Sequence, residues 1–272
     1  MPELPEVQTI VDGIEPYLLN NKITKCNLYV RKLRWELQND MQDIITGSII
    51  CSVSRRAKYI IISTDKLYLT IHLGMTGTLR IAEKNDIRKK HDHFEIYLSS
   101  NLILRFNDPR KFGMIFFSKD SPIISNKLLN NLGPEPLDKA FNWKYLYFIS
   151  RNRNIAIKSL IMNSKIVVGI GNIYASEALF LSKIRPQKIS KKLSKKNCED
   201  IVSSIKKVLR RAIKKGGSTI NDYINVDGKK GYFQYDFKVY GRTKEPCHIC
   251  QSDILQIKIN QRSSFYCKKC QK

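Results

Sequence analysis

Between Glu6 and Leu19 the apolar positions fall at Val7, Ile10, Val11, Ile14 and Leu18, the three-and-four spacing of a helix with one buried stripe. Pro5 precedes the stripe, in a first turn where its missing N–H is tolerated. From about Lys22 to Phe117 the texture changes. Short β-branched and aromatic runs (Tyr59–Ser63, Leu67–His72, Phe94–Leu98, Leu102–Phe106, Met114–Phe117) alternate with polar breaks. Such runs predict strands, and the Ser99-Ser100-Asn101 break predicts a hairpin. The span is expected to be all-β, a sandwich or flattened barrel.

The Pro/Gly-rich stretch Leu132-Gly-Pro-Glu-Pro-Leu137 marks a boundary. Helical spacing follows at Tyr145–Ser150, Ile155–Asn163 and Tyr174–Leu181. A long amphipathic helix comes next, with Cys198, Ile201, Val202, Ile205, Val208, Leu209, Ala212 and Ile213 on one face. Gly216-Gly217 closes it in the C-cap position. Its opposite face carries Lys195, Lys196, Lys206, Lys207, Arg210, Arg211, Lys214 and Lys215, read as a solvated face.

Composition narrows the class. The chain has 272 residues, 42% of them hydrophobic, enough for a sizeable core and too many for a disordered chain. Forty-eight Lys and Arg against 24 Asp and Glu leave a net charge of +24. A surface of that sign seeks polyanions, nucleic acid first, although a coding bias toward Ile, Asn and Lys would raise the charge as well. No apolar run approaches the roughly 18–20 residues of a membrane span. The opening Met-Pro-Glu-Leu-Pro-Glu lacks the charged and apolar regions of a signal peptide. The expectation is a cytoplasmic protein without a membrane partner.

Seven cysteines divide into scattered Cys26, Cys51 and Cys198 and a terminal cluster, Cys247-x2-Cys250 and Cys267-x2-Cys270. In a chain of this size two such pairs point to metal rather than disulfides. Sixteen intervening residues suit a hairpin, with Gln256–Asn260 and Ser264–Tyr266 as strands and Gln261, Arg262 and Ser263 on its turn. Four cysteine ligands leave no open coordination position, so one structural zinc ion is expected.

At the other end, Met1 before a proline is expected to be removed, exposing the secondary amine of Pro2 beside Glu3. A terminal amine, with a reference pKa of about 8, is more often unprotonated near neutrality than lysine. It can attack an aldehyde-level carbon to give an iminium, and Glu3 can donate a proton. Alone, this start is weak as a sign of chemistry and reads first as that of an ordinary helix.

Read together, the segments resemble the bacterial formamidopyrimidine-DNA glycosylases. The resemblance is carried by Met1-Pro-Glu-Leu-Pro-Glu-Val7, Arg55-Arg-Ala-Lys-Tyr59, Ile71-His-Leu-Gly-Met-Thr-Gly77, Lys90-His-Asp-His93, Asn107-Asp-Pro-Arg-Lys-Phe-Gly113, Leu132-Gly-Pro-Glu-Pro136, Val168-Gly-Ile-Gly-Asn-Ile-Tyr-Ala-Ser-Glu177 and the cysteine cluster. It implies an α+β chain: an antiparallel β-sandwich with an N-terminal helix over 1–133, a helix-two-turn-helix domain over 134–236, and a four-cysteine zinc finger over 237–272. It implies a monomeric base-excision repair enzyme acting on duplex DNA. Such an enzyme removes 8-oxoguanine and formamidopyrimidines through a Pro2 Schiff base, then cuts the abasic site by β,δ-elimination.

The resemblance also implies site residues. Pro2, Glu3, Lys58 and Arg262 would be catalytic. Met75, Arg110 and Phe112 would fill the gap left by an everted base, since flipping a base costs a few kcal/mol. His91, Arg153 and Asn172 would contact DNA, the last where Gly169-x-Gly171 opens a helix whose free N–H groups suit a phosphate. Ser218–Phe233 matches the loop that caps the everted base. The chain departs from the pattern at Lys230, where a proline is expected, at Gln8 in place of Glu, and at Lys111 in place of Arg. The alternatives are a relative preferring oxidised pyrimidines and a DNA-binding protein without chemistry.

Overall fold

The first helix forms where the apolar stripe predicts it. α1 (Leu4–Leu18) buries Val7, Ile10, Val11, Ile14 and Leu18. Its start is fixed by a capping box between Glu3 and Glu6, a reciprocal arrangement that satisfies N–H groups the helix leaves unpaired. The computed structural model describes residues 2–38, 40–218 and 236–272. The chain divides into two compact units, residues 1–130 with 216–231, and residues 131–215 with 232–272.

In the first unit α1 is followed by β1 (Ile23–Leu28), α2 (Met41–Ile45), β2 (Ile50–Arg56), β3 (Tyr59–Thr64), β4 (Tyr68–His72), β5 (Thr78–Glu83), β6 (Asp92–Leu98), β7 (Leu102–Asn107), β8 (Met114–Ser118) and α3 (Pro122–Ser125). The strands form two four-stranded sheets, ordered β1-β6-β7-β5 and β2-β3-β4-β8, antiparallel throughout. Ile60, Ile62, Leu69 and Ile71 from one sheet and Phe94, Ile96, Leu104 and Phe106 from the other enter one core with the α1 stripe. Phe94 and Phe117 meet edge-to-face with centroids 6.4 Å apart. This is the expected sandwich. The hairpin between β6 and β7 falls at the Ser99–Asn101 break, where Asn101 takes a left-handed φ of 62°. β1, β2 and β5 have too thin a pattern to be singled out, since most of their residues are exposed or half-exposed.

The second unit contains α4 (Trp143–Ser150), α5 (Ile157–Ile161), α6 (Asn172–Leu181), a 3-10 turn at Ser190–Lys192, α7 (Lys195–Lys214), and the hairpin β9 (Ile254–Ile259) and β10 (Arg262–Cys267). α7 opens on a Ser194–Asn197 capping box and ends where Gly216 takes a left-handed φ of 73°, the conformation that glycine adopts without Cβ strain. Its stripe packs with α4, α5 and α6. α5 is shorter than the expected Ile155–Asn163. Ala156 instead bridges Ile189, and Ile155 O accepts both the N–H and the hydroxyl of Ser190 at 2.8 Å. That pairing holds 155–156 extended.

The terminal hairpin is tighter than expected. Arg262 already pairs with Ile259, so Arg262 and Ser263 belong to β10 rather than to the turn. The turn is Asn260-Gln261, with φ of 46° and 59°, the two left-handed residues that a two-residue hairpin turn requires.

Candidate active site

In the first unit, Pro2 is half-buried and Glu3 is 3% exposed at the head of α1. The Glu3 N–H donates to Glu6 Oε2 at 2.8 Å. The other oxygen, Glu6 Oε1, accepts both the N–H and the hydroxyl of Ser218 at 2.8 Å. A single buried carboxylate therefore joins the main chain beside Pro2 to Ser218, 212 residues beyond Glu6 in sequence. Gly217, with φ of 78°, packs so closely that a Cβ there would lie 3.1 Å from Glu6 Oε1.

Lys58 sits on the two-residue turn between β2 and β3, next to Ala57 with its left-handed φ of 56°. The turn is braced by Arg55, which donates from Nη1 to Ala57 O and from Nε to Gln8 Oε1, both at 2.8 Å. Gln8 thus reaches the Lys58 turn through one side chain. Tyr59 stands opposite His72 in the sheet, rings 4.8 Å apart. Burial first, then the charges of Lys58 and Arg34, push the His72 imidazole down to about 4. The neutral ring is matched to its partner: His72 Nδ1 accepts the Gly74 N–H at 3.0 Å.

Gly74 begins the turn that carries Met75, and Arg110 and Phe112 stand on the turn before β8. Met75 and Phe112 are 44% and 42% exposed, large for apolar side chains. The Arg110 guanidinium lies over the Phe112 ring at 4.7 Å. A Cβ on Gly74 would fall 2.4 Å from the Phe112 carbonyl carbon, so the two turns touch backbone to backbone. His91 is half-buried, its ring edge-on to His93 at 6.1 Å.

In the second unit Asn172 is the first residue of α6, after Gly171. Its Oδ1 accepts from Lys158 Nζ at 2.6 Å. Lys158 is 1% exposed and also donates to Ser263 O at 3.0 Å and Ser264 Oγ at 2.8 Å. Asn172 is therefore left with its amide NH2 for any outside acceptor. Arg262, Lys158, Ser159 and Asn260 line a cavity of about 170 Å³. Arg153 is exposed beyond α4 and joins none of these contacts. The four cysteine sulfurs lie within 4.8 Å of one another. Glu177, on α6, accepts the N–H groups of Lys238, Val239 and Tyr240 at 2.8–3.0 Å, and burial pushes its carboxyl up.

Two family models match: the formamidopyrimidine-DNA glycosylase N-terminal domain over residues 1–115, and the formamidopyrimidine-DNA glycosylase H2TH domain over residues 132–223. The chain belongs to the formamidopyrimidine-DNA glycosylase family.

Among curated relatives, the formamidopyrimidine-DNA glycosylase of Glaesserella parasuis is 47% identical over 274 residues, covering 100% of this chain and 99% of that one. That of Ruthia magnifica is 44% identical and covers 100% of both. Among solved structures, the Lactococcus lactis protein in complex with DNA containing an abasic site superposes with a TM-score of 0.91 at 33% identity, covering 99% of each chain. Its complex with DNA containing Fapy-dG gives a TM-score of 0.90 at 33% identity, covering 99% of each chain.

Within this glycosylase framework, sequence reasoning missed four side chains. Glu6, His72 and Glu177 lie inside the motif blocks, but nothing in the blocks gives them a task. Lys158 stands in an apolar helical run as its only charge, which is the signal that a buried, fully bonded lysine leaves. Lys230 and the capping segment after Ser218 lie outside the described residues. Among the described residues no helix is long and apolar enough to cross a membrane.

Proposed function

We propose that this chain removes oxidised purines, 8-oxoguanine and formamidopyrimidines, from duplex DNA and cleaves the strand at the resulting abasic site. The observation that carries the reading is the Pro2-Glu3 pair at the head of α1, in a chain that matches formamidopyrimidine-DNA glycosylases over its whole length.

Removal of Met1 exposes the Pro2 amine. Its lone pair attacks the sugar C1′ as the base leaves with the electrons of the glycosidic bond, and the proton lost from the nitrogen neutralises the departing base. Glu3 protonates the ring oxygen as the sugar opens. The iminium carries no N–H to lose, so it remains cationic and acidifies the adjacent sugar hydrogens. Proton loss then expels phosphate from the 3′ side and afterwards from the 5′ side. Lys58 holds phosphate near the lesion and assists proton transfer. Arg262, suited to bidentate phosphate contact, assists the second elimination. Asn172, His91 and Arg153 hold the DNA backbone. Met75 and Phe112 wedge into the stack while Arg110 faces the orphaned base.

The cysteine cluster fits zinc. Zinc–thiolate bonds of about 2.3 Å place tetrahedral sulfurs about 3.8 Å apart, and Cys247–Cys270 and Cys250–Cys267 lie 3.8 and 3.4 Å apart. With four thiolates and no open position, the ion would order the β9–β10 hairpin, and with it Arg262.

Borohydride trapping tests the reading on a duplex with one 8-oxoguanine opposite cytosine. A covalent protein–DNA band is expected from the native chain and not from Pro2→Gly. No band from protein that has lost Met1 and kept its metal, on this duplex or an abasic one, overturns it.

A further inference from the structure

We propose that Asp108 is a positioning residue for base extrusion: its buried carboxylate holds the Met75 turn and the Arg110–Phe112 turn together as one preassembled wedge. The inference rests on the reading of those three side chains as intercalators.

Asp108 is completely buried. Its two oxygens divide between the two turns. Oδ1 accepts from the Thr76 hydroxyl at 2.8 Å, and Oδ2 accepts from the Gly113 N–H at 2.7 Å. Thr76 follows Met75 directly, and Gly113 follows Phe112. The main chain of Asp108 is equally occupied. Its N–H donates to His91 O at 3.0 Å, and its C=O accepts the Lys111 N–H at 3.2 Å and lies 3.0 Å from His93 Nε2. One residue thus touches both turns and the strand end that carries His91.

The local polarity is the inverse of a normal protein surface. A carboxylate is sealed inside, while Met75 and Phe112 stand outside with more than 40% of their surface exposed. A buried carboxyl is costly without donors, and here a donor from each turn satisfies it. The glycines leave no slack. Gly74, with φ of 64°, has no space for a Cβ against Phe112, and a Cβ on Gly113 would fall 2.6 Å from the Phe106 ring and 3.0 Å from Asp108 Oδ2.

This rigidity has a kinetic consequence. Opening the stack costs a few kcal/mol, and ordering loose side chains at the moment of binding adds to that cost. Two turns already locked together enter the duplex without the second penalty.

The test compares native protein with Asp108→Asn, Thr76→Val, Thr76→Ser, Met75→Ala and Phe112→Ala. Stopped-flow fluorescence of 2-aminopurine beside an 8-oxoguanine reports extrusion, and single-turnover release reports excision. Cleavage of a single strand carrying an abasic site serves as the reference, because it has no stack to open. Asp108→Asn keeps the shape but turns an NH2 toward one of the two donors. It is expected to slow duplex extrusion and excision about tenfold or more, with single-strand cleavage within about twofold of native. Thr76→Val should show a smaller loss in the same direction, and Thr76→Ser should restore the rate. If Asp108→Asn does not fold, the Thr76 pair decides alone.

Native extrusion rates in Asp108→Asn and Thr76→Val, with Met75→Ala and Phe112→Ala slow, would overturn the proposal and leave the intercalators in place. Equal losses on both substrates would make Asp108 a general structural residue and overturn it also. Native rates in Met75→Ala and Phe112→Ala would remove the intercalator reading, and this inference with it.

Discussion

Lys158 Nζ lies 2.6 Å from Asn172 Oδ1, and the lysine is buried while the asparagine opens a helix. The pair sets which end of the Asn172 amide faces outward. Lys158 spends its three donors on Asn172, Ser263 and Ser264, so it also ties α6 to β10. Buried ammonium groups need such partners, because an unpaired one is strongly penalised.

Asn172→Asp separates the observed bond from Lys158 from the phosphate contact proposed for this residue. A carboxylate still accepts from Lys158, now as a charge-assisted bond, so the thermal midpoint should hold or rise. It offers a phosphate no donor and adds repulsion. Affinity for a duplex with an abasic-site analogue, followed by fluorescence anisotropy, should fall about tenfold or more. A fall in stability with unchanged affinity would contradict the arrangement.

His72 gives a pH dependence of definite sign. Its folded pKa is about 4 against an ordinary 6.5, so between these values the unfolded chain binds a proton that the folded chain does not. Stability from this residue is complete above about pH 6.5, declines as pH falls toward about 4, and levels off below. The loss is of order 3 kcal/mol. Protonation also removes the acceptor for the Gly74 N–H. Urea unfolding from about pH 7.5 to about 4 should show a shallower acid loss in His72→Gln than in the native chain; parallel curves would refute it.

Gln8 stands where Glu is expected, and the structure shows what it does. Gln8→Glu would strengthen the bond to Arg55. It would also remove the donor to Asp12, now at 2.7 Å, and set two carboxylates four residues apart on α1. These effects oppose each other at a few tenths of a kcal/mol to about 1 kcal/mol each. The thermal midpoint is expected to stay within about 3 °C, with excision unchanged. A large loss of excision would mean that Gln8 controls the Lys58 turn more tightly than its contacts indicate.

Metal removal should act on binding through the terminal hairpin. Native mass spectrometry is expected to find one zinc per chain. Stripping it with a thiol reagent and chelator should abolish tight DNA binding, since Arg262 starts the strand that ends at Cys267. Full DNA affinity in metal-free protein would disconnect the ribbon from the site.

Much of this molecule is legible in one dimension. The α1 stripe, the runs of β3, β4, β6, β7 and β8, the long α7 and the paired cysteines all follow from short-range periodicity or spacing. Such signals survive because each residue's environment repeats with its neighbours. The boundaries that slip, at α5 and at the Asn260-Gln261 turn, are places where a distant partner or a left-handed backbone outweighs local propensity.

The buried polar contacts belong to the tertiary structure alone. Glu6 finds Ser218, Lys158 finds Ser264, and Asp108 finds Thr76 and Gly113. Nothing in their spacing announces the pairing, because what selects each partner is the cost of leaving a desolvated charge unsatisfied, and that cost exists only once the chain has closed around it. Residue order alone carries which chemical groups this protein has and most of its strongly patterned helices and strands. The fold decided which of those groups are held still, and in which direction they point.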